Sequence, residues 1–181
     1  MSNKKTRLIT FTAMGIALVI LAQALGNVLP AGFVIAGPFT GKQLLTGSLV
    51  NLVLFVFTAV AGTWSGVIIG LCSAVLARLI GIGPILPVVP VVAGGNAVLC
   101  LLFGLLRKQP RWPGLLTVAL PAAVKCGFLW LLVPAVIRAV GLPDKQAAAL
   151  SVMFSWPQAV TALLGGLLAL AILPRLQKTK A

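Results

Sequence analysis

The sequence predicts an all-α integral membrane protein, a single membrane domain over residues 1–181 built as a bundle of six transmembrane helices. Three observations lead there. Of the 181 residues, 60% are hydrophobic and 8% charged, and the mean hydropathy of +1.15 lies far outside the range of soluble globular domains. Apolar runs long enough to cross roughly 30 Å of hydrocarbon recur six times along the chain. Between those runs fall most of the basic residues, where membrane insertion itself selects them.

The first run, about 8–29, follows Lys4, Lys5 and Arg7. Its basic start and the "AQA" at 22–24 look like a secretory signal, but the run is long for a signal core and leads into further apolar segments. It is expected to remain as a helix. The stretch "NVLPAGFVIAGPFTGKQ", 27–43, is apolar yet broken by Pro30, Gly32, Gly37, Pro38 and Gly41, which predicts a capping or re-entrant loop. Helices follow at about 44–61 and 64–82, separated only by "AGTW" at 61–64 and hence an antiparallel hairpin. "GIGP" at 81–84 turns the chain into a helix at about 88–106, and the polar, proline-rich "KQPRWPG" at 108–114 leads to one at about 115–140. "GLPD" at 141–144 precedes the last, about 148–173. With six spans, the basic clusters Lys4–Lys5–Arg7, Arg107–Lys108–Arg111 and Arg175–Lys178–Lys180 share one side, so both termini are expected in the cytoplasm.

The formal net charge of +13 does not imply nucleic acid, because the basic residues neither form a stripe nor alternate with aromatics. Cys72, Cys100 and Cys126 are odd in number, lie in apolar stretches and form no C-x-x-C pair, so they are read as packing residues. Histidine is absent, which removes the commonest metal ligand and general base together. The only carboxylate side chain is Asp144, and no phosphate-binding G-x-x-x-x-G-K-[ST] loop occurs. The sequence therefore predicts binding groups without catalysis, metal, cofactor or an ATP site of its own.

Lys125 is the most informative of those groups. It lies inside "LPAAVKCGFLWLLVPAVI", 120–137, and an ammonium at that depth costs roughly 2.5–3.5 kcal/mol on insertion scales. Asp144 is 19 residues further on, about 28 Å along a continuous helix, so Lys125 has no internal counter-ion in this reading. It snorkels, is neutral, or meets a partner that arrives as a ligand. Other polar residues inside the runs are Gln23, Asn27, Asn51, Arg78, Asn96, Gln158 and Thr161, each of which can also serve a plain interhelical hydrogen bond. Ala13 and Ala17, four apart with Gly15 nearby, form a small-x-x-x-small face that lets a helix approach closely.

Six short helices, the A-x-x-x-A at Ala13 and Ala17, the capping loop, "TGSLVNLVLF" at 46–55, "GIGPILPVVPVVAGGNAVL" at 81–99, the lysine of "AAVKCGFLWLLVP" and "FSWPQAVTALLGG" at 154–166 together resemble a substrate-binding S component. Such components belong to the energy-coupling factor (ECF) class of vitamin and micronutrient ABC importers. The resemblance implies a multi-pass protein of a bacterial plasma membrane that captures a small nutrient from outside, using helices four to six and the first loop. It also implies that the Ala13–Ala17 face docks on a shared transmembrane subunit driven by two ATPase subunits, with toppling in the membrane to deliver the cargo. On the helices that line the family's pocket fall Asn96, Lys125, Trp156 and Gln158.

Two other classes stay open at this stage, a stand-alone channel or facilitator for a small solute and a structural assembly subunit. The first calls for symmetric repeats or a continuous polar face, and the sequence has neither. A buried lysine with no membrane carboxylate favours an anionic nutrient over a cationic one. No motif singles out a particular vitamin.

Overall fold

The computed structural model describes residues 3–28, 33–81 and 83–178. Pro30, Gly32 and Lys180 of the sequence reading lie outside these residues, as do the side chains of Lys4, Asn27 and Lys178. Seven α-helices and one small hairpin account for nearly all of the described chain: α1 (Asn3–Val28), β1 (Val34–Ala36), β2 (Phe39–Thr40), α2 (Gly41–Ala61), α3 (Thr63–Leu79), α4 (Val89–Leu106), α5 (Gly114–Val140), α6 (Asp144–Met153) and α7 (Trp156–Lys178). A short 3-10 turn, Leu86–Val88, leads into α4. Five of these segments are long and apolar enough to cross a membrane, and α3, at 17 residues, is a shorter apolar helix. Large apolar side chains such as Ile9, Leu21, Trp130 and Leu131 are exposed on the outside of the bundle, a surface that suits lipid and not water. The protein is a multi-pass, predominantly helical membrane protein.

Two segments differ from the sequence reading, each for a local chemical reason. The loop expected over 27–43 contains an antiparallel hairpin, and α2 begins at Gly41. Gly37 supplies the positive φ, +54°, that the two-residue turn between Ala36 and Phe39 requires. Thr40 then closes a capping box: its hydroxyl accepts from the Gln43 amide at 3.4 Å while Gln43 Oε1 accepts from the Thr40 amide at 2.9 Å. The single last helix expected at 148–173 is two helices, α6 and α7, parted at Phe154–Ser155. Pro157 is the cause, because it has no N–H for the Met153 carbonyl and its ring would collide with that carbonyl in a continuous helix. As the second residue of a new helix it is tolerated.

Helix α2 is the centre of the bundle and packs on α1, α3, α4 and α7, while α5 closes the ring between α4 and α7. The main core gathers Val19, Leu54, Phe55, Ile69, Leu99, Phe103 and Val118, with Phe55 edge-on to Phe103 at 4.8 Å between ring centres. A second core, Val88, Leu129, Val133, Ile137 and Phe154, seats α6 against α5. Where α2 meets α7 the backbones nearly touch: a methyl on Gly165 would lie 2.5 Å from the Ser48 carbonyl oxygen and 2.7 Å from the Leu52 nitrogen. Only glycine fits there.

The two ends of the bundle carry different chemistry. At one end Phe11, Val60 and Leu176 border a common groove, and Arg107 Nη1 donates to the Ala59 carbonyl at 2.7 Å, so the α1 start, the α2–α3 turn, the α4–α5 loop and the α7 end lie together. Lys5, Arg7, Arg107, Lys108, Arg111 and Arg175 belong to this end. Partial burial lowers the Arg107 pKa from its ordinary value, though a guanidinium keeps its charge. At the opposite end are the hairpin, the α3–α4 turn and α6.

Gly165→Ala is expected to destabilise the detergent-solubilised protein by about 1–3 kcal/mol, because the obstructing atoms are backbone and cannot swing aside. Gly127→Ala, where a methyl meets nothing within 4 Å, should instead be neutral or slightly stabilising. Thermal unfolding of the two variants side by side checks this, and equal midpoints would remove the α2–α7 contact as a determinant of the fold.

Candidate binding site

Several polar side chains from α1, α2 and α7 meet at the hairpin end. A half-enclosed cavity of about 270 Å³ lies there, lined by Gln23 and Gly26 of α1, Phe39 of the hairpin, Lys42, Gln43, Thr46 and Gly47 of α2, Met153 of α6, and Pro157, Gln158 and Thr161 of α7. Its volume is just under the roughly 300–1,000 Å³ usual for small-molecule sites. Glutamine, threonine and lysine side chains supply donors and acceptors, and no lining residue is acidic.

Each wall follows from the local structure. The capping box fixes the first turn of α2 and so holds Lys42 and Gln43 at the cavity, where Gln43 Nε2 also reaches Met153 Sδ at 3.8 Å. The helix break opens the opposite wall. Since Pro157 cannot donate to the Met153 carbonyl, Gln158 Nε2 does so at 3.1 Å, which pins the Gln158 side chain at the α6–α7 corner. Phe39, 3% exposed, is the apolar roof, and Trp156 meets it edge-on at 5.3 Å and an interplanar angle of 81°.

Beneath the cavity floor is Lys125. It is 2% exposed, and its Nζ donates to Asn51 Oδ1 at 2.8 Å. Asn51 Nδ2 in turn donates to the Gly47 carbonyl at 2.8 Å and approaches Thr161 Oγ1 at 3.5 Å, and the Thr161 hydroxyl donates to the Gln158 carbonyl at 3.3 Å. Gly47, Gln158 and Thr161 all line the cavity. The lysine on α5 is thus joined through an amide on α2 to the floor of a site built on α2 and α7. An ammonium beside Asn51 settles which way that amide points: oxygen to the lysine, nitrogen to the floor.

The four residues that the sequence reading assigned to substrate are therefore placed differently from one another. Gln158 lines the cavity. Lys125 lies one side chain behind it, and Trp156 backs its aromatic roof. Asn96 is elsewhere, buried between α3 and α4 with Nδ2 3.4 Å from Ser73 Oγ and with Gly70 closely packed on its backbone. The outer face of α1 carries Ala13 and Ala17, both exposed. Lys42, Gln43, Thr46 and Phe39 are site residues that the sequence does not single out; the signal lies in "TGKQ", 40–43, whose Thr-x-x-Gln spacing starts a helix inside the expected loop. Among the described residues no group of His, Cys, Asp or Glu could hold a metal ion.

Compared with known protein families, with curated proteins and with solved structures, the chain matches none.

The Lys125–Asn51 contact makes a sign-definite prediction. Asn51→Leu strands a buried ammonium, whereas the same change in a Lys125→Met background strands nothing, so the substitution should cost roughly 1–3 kcal/mol less there. A double-mutant cycle by equilibrium unfolding in detergent reads the difference. Energies that add to within about 0.5 kcal/mol would show that the hydrogen bond contributes nothing.

Proposed function

We propose that the protein captures a small, anionic nutrient at the hairpin end and acts as the substrate-binding S component of an ECF-type importer. The observation that carries the reading is the cavity itself, a polar, non-acidic pocket with one cationic side chain in its wall and a second buried behind its floor. It stands at the end of the bundle opposite the cluster of basic residues. Cytoplasmic loops carry the excess of lysine and arginine, so this distribution supports a reading with both termini in the cytoplasm, α3 as a sixth span, and the cavity at the outer face of the plasma membrane. Proton-coupled transport calls for an embedded carboxylate, and the one carboxylate side chain of the sequence, Asp144, starts α6, which supports a reading in which partners supply the energy. In this reading they are a transmembrane coupling subunit and two ATPases.

The docking role falls on Ala13 and Ala17. Their exposure on α1 leaves a surface of small side chains free for another helix.

Two experiments test the reading. Protein purified in a mild detergent should retain a water-soluble molecule small enough for the cavity, identifiable by native mass spectrometry; protein that is empty, and that no small solute stabilises, would leave a structural subunit as the better description. Trp at both Ala13 and Ala17 should spare ligand binding by the isolated chain and abolish uptake by cells. Undiminished uptake would mean that this face does not dock.

A further inference from the structure

The cavity walls are chemically unequal, and the inequality specifies a ligand more narrowly than charge alone. Lys42, on the first turn of α2, is the one cationic side chain in the lining, and no lining residue offers it a carboxylate. The other cation near the site, Lys125, is spent on Asn51 and separated from the cavity by that side chain. Gln23, on α1, also lines the cavity. Its Oε1 is buried and has no hydrogen-bond donor, one of two such side-chain atoms among the described residues. Leaving a buried acceptor unpaired costs about as much as a lost hydrogen bond, so native proteins keep such atoms where something else supplies the donor. If the amide were turned over, its nitrogen would take the same place, and a ligand oxygen would then meet it; the surrounding lining decides between the two. Lys42 and the Gln43 amide nitrogen already present donors to the cavity, the Thr161 hydroxyl proton being held by the Gln158 carbonyl, and Gln23 Oε1 is the acceptor left without a donor.

We infer that the ligand is a small organic anion that also carries an N–H or O–H donor, its anionic group held by Lys42 and its donor received by Gln23 Oε1, with Lys125 acting as a positioning residue and not as the ligand's counter-ion. This rests on the solute-binding reading above. It moves the charged contact from the middle of α5 to the start of α2. Lys125 keeps a role, because its hold on Asn51 Oδ1 turns the Asn51 amide nitrogen toward the Gly47 carbonyl and Thr161 Oγ1, and so sets the floor on which the ligand rests.

The test uses the full chain, delipidated in a non-ionic detergent, and a set of water-soluble molecules sized to the cavity: organic acids, the amides of those acids, and amines, each with and without a hydroxyl or N–H donor. Thermal shift finds the binders and calorimetry measures them. Acids bearing a donor should bind best. Lys42→Gln should weaken the best acid roughly thirty-fold or more while leaving its uncharged amide nearly unchanged. Lys42→Arg, which keeps the charge, should recover part of the loss and guards against a folding defect. Gln23→Met should weaken the donor-bearing acid by roughly five- to ten-fold and its donor-free analogue hardly at all. Binding confined to amines or to neutral molecules would overturn this inference while leaving the solute-binding reading intact. Equal loss of acid and amide in Lys42→Gln would likewise remove Lys42 as the anion contact. Stabilisation by no soluble molecule overturns both readings. An anionic lipid headgroup shares the same chemistry, so phosphatidylglycerol is tested in parallel, and binding of that lipid alone would reject a soluble ligand.

Discussion

The hydrogen bond from Lys125 to Asn51 is the contact on which the arrangement of this bundle turns. A cation has been placed in an interior that has no carboxylate side chain, and the acceptor that receives it, Asn51 Oδ1, lies on a different helix. Satisfying it ties α5 to α2, and the remaining amide protons of Asn51 tie α2 to itself and to α7. Low dielectric makes such a contact strong when complete and costly when broken. Helix α7 packs on both α2 and α5 here, with glycine at position 165 allowing the α2 and α7 backbones to come together, and the hydrogen bond spans the remaining pair, α5 to α2. Close packing and polar connection are two aspects of one junction.

What this junction leaves above it is a cavity. Side chains that would otherwise fill the hairpin end are diverted: Gln158 answers the carbonyl that Pro157 cannot, and Gln43 answers the amide of Thr40. A helix break and a helix start face each other across the opening, and each holds a glutamine in place by a local backbone need. Sites whose polar groups are fixed in this way are organised before a ligand arrives, which reduces the ordering cost of binding. The aromatic pair Phe39–Trp156 joins the hairpin to the start of α7, so the roof and one wall are coupled.

The class of protein was legible in the sequence, and so were most of the helices, because the bilayer imposes a length and a composition that any spanning segment must meet locally. Gly37, Gly62 and Gly141, all at positive φ, stand at turns in "AGPF", "AGTW" and "GLPD" that the sequence marks plainly. Lys125 stood out for the same reason, since its cost depends on depth and not on its neighbours. The division of the last run into α6 and α7 was also encoded, in Pro157, but a mean apolar character over 148–173 masks a single missing N–H.

What the tertiary structure alone decided is which of the polar residues meet. Asn51, Asn96 and Gln158 look alike in sequence, each one amide in an apolar run, yet the first holds a lysine, the second joins α3 to α4 through Ser73, and the third faces the cavity. Sequence separations of 74 residues between Asn51 and Lys125 and of 110 between Asn51 and Thr161 are closed only by helix packing, which depends on side-chain shape at every crossing. The position of Lys42 in the wall, and of Gln23 with its unpartnered oxygen in the same lining, follows from the same packing. Hydrophobic periodicity and length are properties of a segment, so they can be read one segment at a time; a pocket is a property of how segments meet, and it exists only once they have.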